Sequence, residues 1–245
     1  MINIRMFKKI DAENATMIEG FPGIGLVGPM AISYIVDKLG MDYVGYLESS
    51  DFPPLVSIHK GEPIPPVRIY FSQKYKIATV FAEFAMPLEI VYELSEVFYN
   101  FVISNKMSRI VSISGIPSAD TAASTTFAIS SVPHLNSEAQ KAGLKPIAEG
   151  VASGVNALLL MKSKLDNFPD VNILVPVAQD LIDPKYAEFA INGLNKLLNL
   201  NIDTAELEKE AKEVEAKVQE LIKKHSESHK SYKKTIDASG PSMFA

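Results

Sequence analysis

At 245 residues, 47% of them hydrophobic and 22% charged, the chain is long enough to bury a full-sized core and has an ordinary globular composition. No apolar run approaches the roughly 20 residues that cross a bilayer, and the opening MINIRMFKKIDAEN lacks the apolar segment of a signal peptide. The absence of cysteine excludes a disulfide framework, Cys-ligated zinc and a thiol nucleophile, and a formal net charge of −5 argues against a general nucleic-acid binder.

Strand-like and helix-like segments alternate over the first 200 residues or so. Residues 2–8 and 15–20 read as strands, followed by a helix from about Gly25 to Leu39. DYVGYLES, LVSIHKG, VRIYFSQ and IATVFAEF read as four short strands, the middle ones suiting hairpins. Pro87 opens a helix that runs to about Asn105, because proline is tolerated in a first turn. RIVSISG is a β-branched run closed by glycine, the pattern of a buried strand. A Ser/Thr-rich loop follows, then a small helix near Ser137–Ala142, strand KPIAEG, a helix over 154–164 and strand VNILVPV. Strands separated by crossover-length helices imply a mostly parallel sheet covered on both faces.

The ending differs in kind. Asp183-Pro184 supplies an N-cap and a first-turn proline, and Tyr186, Phe189, Ala190, Leu194 and Leu197 mark one helical face. Asp203, with Glu206 three residues on, opens a second helix by a capping box. In it Leu207, Ala211, Val214, Val218 and Leu221 form a narrow heptad stripe among Glu and Lys. That stripe either docks on its own domain or packs against a neighbouring subunit. From His225 onward periodicity is lost and Ser and Lys dominate, the composition of a disordered tail. The expected organisation is an α/β core over 1–202, an amphipathic helix over 203–224 and a tail over 225–245.

Three segments in order resemble the proteasome assembly chaperone 2 family, particularly archaeal members: GFPGIGLVG between a strand and a helix, EGVASGVNALLL with Gly150 and Gly154 before a helix, and DPKYAEFAINGLNKLLNLNIDTAELEKEA. Together with the strand order the resemblance covers roughly residues 1–220. It implies a three-layer αβα fold with a mainly parallel or mixed sheet, akin to nucleoside phosphorylases, and no established catalytic site. It further implies a homo-oligomer, a tetramer or pentamer, that helps to build or open proteasomes in the cytoplasm. Some archaeal members end in a hydrophobic residue, a tyrosine and one final residue, which dock on the 20S α-subunits. Here Met243, Phe244 and Ala245 stand at those positions, with phenylalanine replacing tyrosine and losing its hydroxyl. On this reading the chain is not an enzyme and needs no metal or cofactor, and it has neither nucleic-acid nor membrane partners.

The residues themselves leave an alternative. Gly23, Gly25 and Gly28 fit G-x-G-x-x-G, and Glu48 lies about where a ribose-binding acid would follow in a dinucleotide site. Pro22 and Pro29 bracket the turn and leave fewer amides for a pyrophosphate. Its plainer reading is a tight strand-to-helix turn built on Gly20, Pro22, Gly23, Gly25 and Gly28. The Ser114–Thr126 loop, which contains Asp120, could cradle phosphate in a phosphorylase- or hydrolase-like enzyme, or be a polar turn. The four histidines are scattered without metal-ligand spacing. The proline-dense stretch from Asp51 to Pro66 suits an edge hairpin or an interaction surface.

Overall fold

The computed structural model describes residues 1–118, 125–178 and 181–207. In chain order its strands are β1 (Asn3–Met6), β2 (Thr16–Gly20), β3 (Asp42–Glu48), β4 (Ser57–His59), β5 (Glu62–Ile64), β6 (Val67–Ser72), β7 (Ile77–Ala82), β8 (Arg109–Pro117), β9 (Phe127–Ser130), β10 (Lys145–Pro146) and β11 (Asp170–Val177). The helices are α1 (Val27–Lys38), α2 (Val91–Ser104), α3 (Pro133–Lys141), α4 (Val155–Leu165) and α5 (Pro184–Leu198). Short 3-10 turns, Ile24–Leu26 and Leu88–Ile90, lead into α1 and α2.

One nine-stranded sheet runs in the order β1-β3-β6-β7-β2-β8-β11-β9-β10. Its middle, β7-β2-β8-β11, is parallel throughout. The flanking pairs β1/β3, β3/β6, β6/β7 and β9/β11 are antiparallel, so the sheet is mixed. The central strands read as continuous apolar runs because both faces are covered, and every residue of β11 is buried. α1, α3 and α5 pack with one face of the sheet, around Ile18, Ile35, Val111, Ile173 and Ile191. α2 and α4 pack with the other, around Met17, Val80, Leu94, Phe98 and Leu159. This is a three-layer αβα sandwich.

The differences from the sequence reading have local causes. β9 is only four residues long beside the Ser/Thr loop, too short for alternation to mark it. β10 shrinks to two residues of KPIAEG, and α3 starts at Pro133, four residues before Ser137, with proline in its first turn. LVSIHKG contributes only β4, which pairs with β5 as a separate two-stranded ribbon. That ribbon is tied to the sheet by Ser57, which donates to Glu83, itself in a buried ion pair with Arg68.

After α5 the chain turns back to α1. Asp183 caps α5 by accepting from the Lys185 amide at 2.9 Å, as its Asp-Pro start demands. Asp203 accepts from the Ala205 amide at 3.0 Å, its own carbonyl accepts from the Tyr34 hydroxyl at 2.7 Å, and Glu206 pairs with Lys38 at 2.7 Å. Leu207, the first residue of the heptad stripe, is 2% exposed and belongs to the core shared by α1 and α5. Packing therefore runs on past residue 202 into the same domain. Ala211, Val214, Val218 and Leu221, the tail with Met243, Phe244 and Ala245, and Asp120 lie outside the described residues.

Candidate functional site

β2, β8 and β11 are adjacent and in register: Glu19 sits beside Ser112, and Ser112 beside Asn172. Side chains alternate along a strand, so these three share the face covered by α2 and α4. A polar row thus crosses a mainly apolar layer. Glu19, Ser112 and Asn172 are each 2% exposed or less. Glu19 Oε1 accepts from the Phe21 amide at 2.7 Å, whereas Oε2 has no partner in hydrogen-bonding geometry. Asn172 Oδ1 is likewise unpartnered, while its Nδ2 reaches the Asn156 carbonyl at 3.4 Å. Asn156, in the first turn of α4, donates to the Ser114 hydroxyl at 3.0 Å.

Above this row, at the carboxyl ends of the parallel strands, lies a cleft of about 280 Å³. Its walls are Phe21 to Ile24, the Ala85–Val91 segment that starts α2, and Ser153 to Asn156 at the start of α4. A second lobe, of about 460 Å³, shares Ile24, Ser114 and Asn156 and adds Asn172, Leu174 and the 147–152 loop. Crevices at this end of a parallel sheet are where open α/β folds place ligands.

The glycine turn shapes one wall. Gly25 has φ +69°, and Leu26 follows it at φ +50° as the residue before α1. At Gly28 the helix crosses the sheet so closely that a Cβ would lie 2.7 Å from the Ile113 carbonyl oxygen and 2.8 Å from Gly20 Cα. Gly23, in contrast, is extended at φ −143° and has open space at its Cβ position. Glu48, the acid that a dinucleotide site would use, lies on β3, separated from β2 by two strands. It is paired with Arg5 at 2.7 Å near the sheet edge. The next strand after a Rossmann turn lies beside the first, so this topology is a different fold. His59 and His134 are exposed, and among the described residues no group of His, Asp and Glu is placed to hold a metal ion.

Sequence reasoning passed over Glu19. The available signal was a lone acid in an apolar strand, TMIEG, one residue before the turn into a helix.

Burial pushes the Glu19 carboxyl up to about 7, against the opposing pull of the Phe21 amide and the neighbouring Ser112 hydroxyl. On the same face Asp170, which accepts from Ser163 at 3.0 Å, is raised by burial to about 8, opposed by Ser163 and reinforced by Glu19. A carboxyl raised in the folded state holds a proton that the unfolded chain has released. Its stabilisation is full below the ordinary values of 4.5 and 3.8 and is lost as pH rises through about 7 and about 8. Glu19→Gln is therefore expected to shrink the fall in unfolding free energy between about pH 5 and about pH 8 by roughly 2–3 kcal/mol. Urea denaturation at the two pH values measures this, and an unchanged difference would show that Glu19 ionises normally.

The PAC2 family profile matches residues 17–222. The chain belongs to this family. An uncharacterised protein of Methanocaldococcus jannaschii is 34% identical over 233 residues, covering 91% of this chain and 94% of its own. Among solved structures, Pyrococcus furiosus PbaA, described as an archaeal homologue of proteasome-assembly chaperone, superposes with a TM-score of 0.81 at 27% identity, covering 95% of this chain and all of PbaA. PbaB of the same organism, described as an archaeal proteasome activator, gives a TM-score of 0.74 at 22% identity over 90% of this chain and 98% of its own, a likeness of fold alone. The αβα sandwich of this PAC2-family chain is thus the proteasome assembly chaperone-like fold.

Proposed function

We propose that this protein is a non-enzymatic partner of the proteasome, an assembly chaperone or ATP-independent activator. In this reading it works as a homo-oligomer that presents residues 243–245 to the α-subunits of the 20S particle. The observation that carries the reading is the near full-length likeness to PbaA within a family match over residues 17–222. The three resembling segments all lie within that match. Repetition of a weak tail contact in an oligomer raises the effective concentration of each further tail to the millimolar range, which strengthens the whole complex. Leu207 is engaged within its own subunit, so a helix-mediated oligomer contact would use Ala211, Val214, Val218 and Leu221.

Native mass spectrometry of the full chain, alone and with an archaeal 20S particle, tests this directly. The expected spectrum shows a tetramer or pentamer alone and a complex with 20S in the mixture. A monomer that leaves 20S unshifted at micromolar concentration would overturn both parts.

A further inference from the structure

The tail-docking reading makes no use of the cleft over the polar row, yet the cleft is built to a definite chemistry. Among the described residues its lining contains no lysine, arginine or histidine in either lobe, and the ionisable side chains there are the buried Glu19 and, in the larger lobe, Glu149. A phosphate or carboxylate would meet the Glu19 carboxyl with no side-chain cation to offset it. The partial positive charge at the start of α4 is about half a unit and fades within a turn. Free acceptor capacity sits where donors are wanted: Glu19 Oε2 at the floor of one lobe and Asn172 Oδ1 at the other, both buried and unpartnered. Phe21, Met86, Leu88 and Val91 offer apolar surface around the carboxyl.

We propose that this cleft binds a small organic cation, an amine or amidine with an apolar body, whose N–H groups bond to Glu19. The inner lobe, about 280 Å³, lies just below the ~300–1,000 Å³ of drug-sized sites, so the occupant is small. A bound cation would supply the donor that Glu19 Oε2 lacks and would favour the ionised carboxylate, reversing the effect of burial. Leu88, which lines the cleft and is largely exposed, adds apolar surface for that body.

Benzamidine is a suitable probe, with forked N–H donors on a flat apolar ring, and benzoate is its anionic counterpart. Methyl NMR of the full chain at about pH 8 reads the response of Met86. Benzamidine is expected to shift that methyl saturably, and Glu19→Gln to weaken binding by roughly tenfold or more, the loss of one charge-assisted bond. Unchanged shifts elsewhere in the Glu19→Gln spectrum verify that the variant keeps its fold. No saturable shift at millimolar benzamidine, equal binding by Glu19→Gln, or benzoate binding as tightly as benzamidine would each overturn the proposal. Because the readout needs no proteasome, its failure leaves the tail reading untouched, and the reverse holds.

Discussion

Removal of Met243, Phe244 and Ala245 is expected to abolish binding to the 20S particle while leaving the oligomer intact. In the proposed mode Phe244 fills an apolar pocket between α-subunits, Met243 makes an adaptable contact, and the Ala245 carboxylate pairs with a lysine. The run from His225 to Ser242 has the composition of a flexible coil. Its typical excursion would then be roughly 25 Å, and at most roughly 60 Å when fully extended. Each docked tail is weak, because the entropy lost in ordering a chain segment offsets most of what three docked residues contribute. Loss of three residues from every tail therefore removes the multivalent gain altogether. Surface-binding measurements on the deletion and on a variant with a C-terminal tag test this, and unchanged affinity in either would defeat the docking mode. Phe244→Tyr restores the hydroxyl of the family pattern and should tighten binding by about 1 kcal/mol if one net hydrogen bond returns.

The second large effect concerns the turn into α1. Gly28→Ala forces a methyl group against the Ile113 carbonyl oxygen and Gly20 Cα, which are backbone atoms of β8 and β2 and cannot rotate aside. The helix must lift from the sheet, and the expected loss is about 3 kcal/mol, at the upper end of overpacking. In a domain of this size that corresponds to a melting point lower by roughly 10 °C. Gly23→Ala is the internal control: its extended backbone and open surroundings predict a change within about 0.5 kcal/mol. Thermal unfolding of the pair would refute the close-approach account if both variants lost the same amount, or if Gly28→Ala cost nothing.

What could be read from the sequence follows from how each element is stabilised. The middle strands were legible because burial on both faces makes them uninterrupted apolar runs, as in RIVSISG and VNILVPV. The helices were legible from Pro87, from Asp183-Pro184 and from the glycine turn, all local signals. β9 was not, because Phe127–Ser130 is a strand through its pairing with β11, more than forty residues away, and with the two residues of β10. The polar row was hidden for a related reason. Glu19, Ser112 and Asn172 are unremarkable in their own strands and become a site only when strand order sets them side by side. Glu48 shows the converse, since a sequence offset that suits a dinucleotide site leads here to a strand three places away.

The contact between Glu206 and Lys38 has a mechanical meaning. Lys38 is the last residue of α1, whose other end follows directly on the turn that forms one wall of the cleft. α1 spans twelve residues, about 18 Å at 1.5 Å per residue, and most of its side chains are buried. It is a strut, seated at one end against Glu206 and Leu207 and at the other against Ile24. A pull applied at Glu206 would enter the body at the foot of this strut and be delivered, along a single rigid element, to the rim of the cleft.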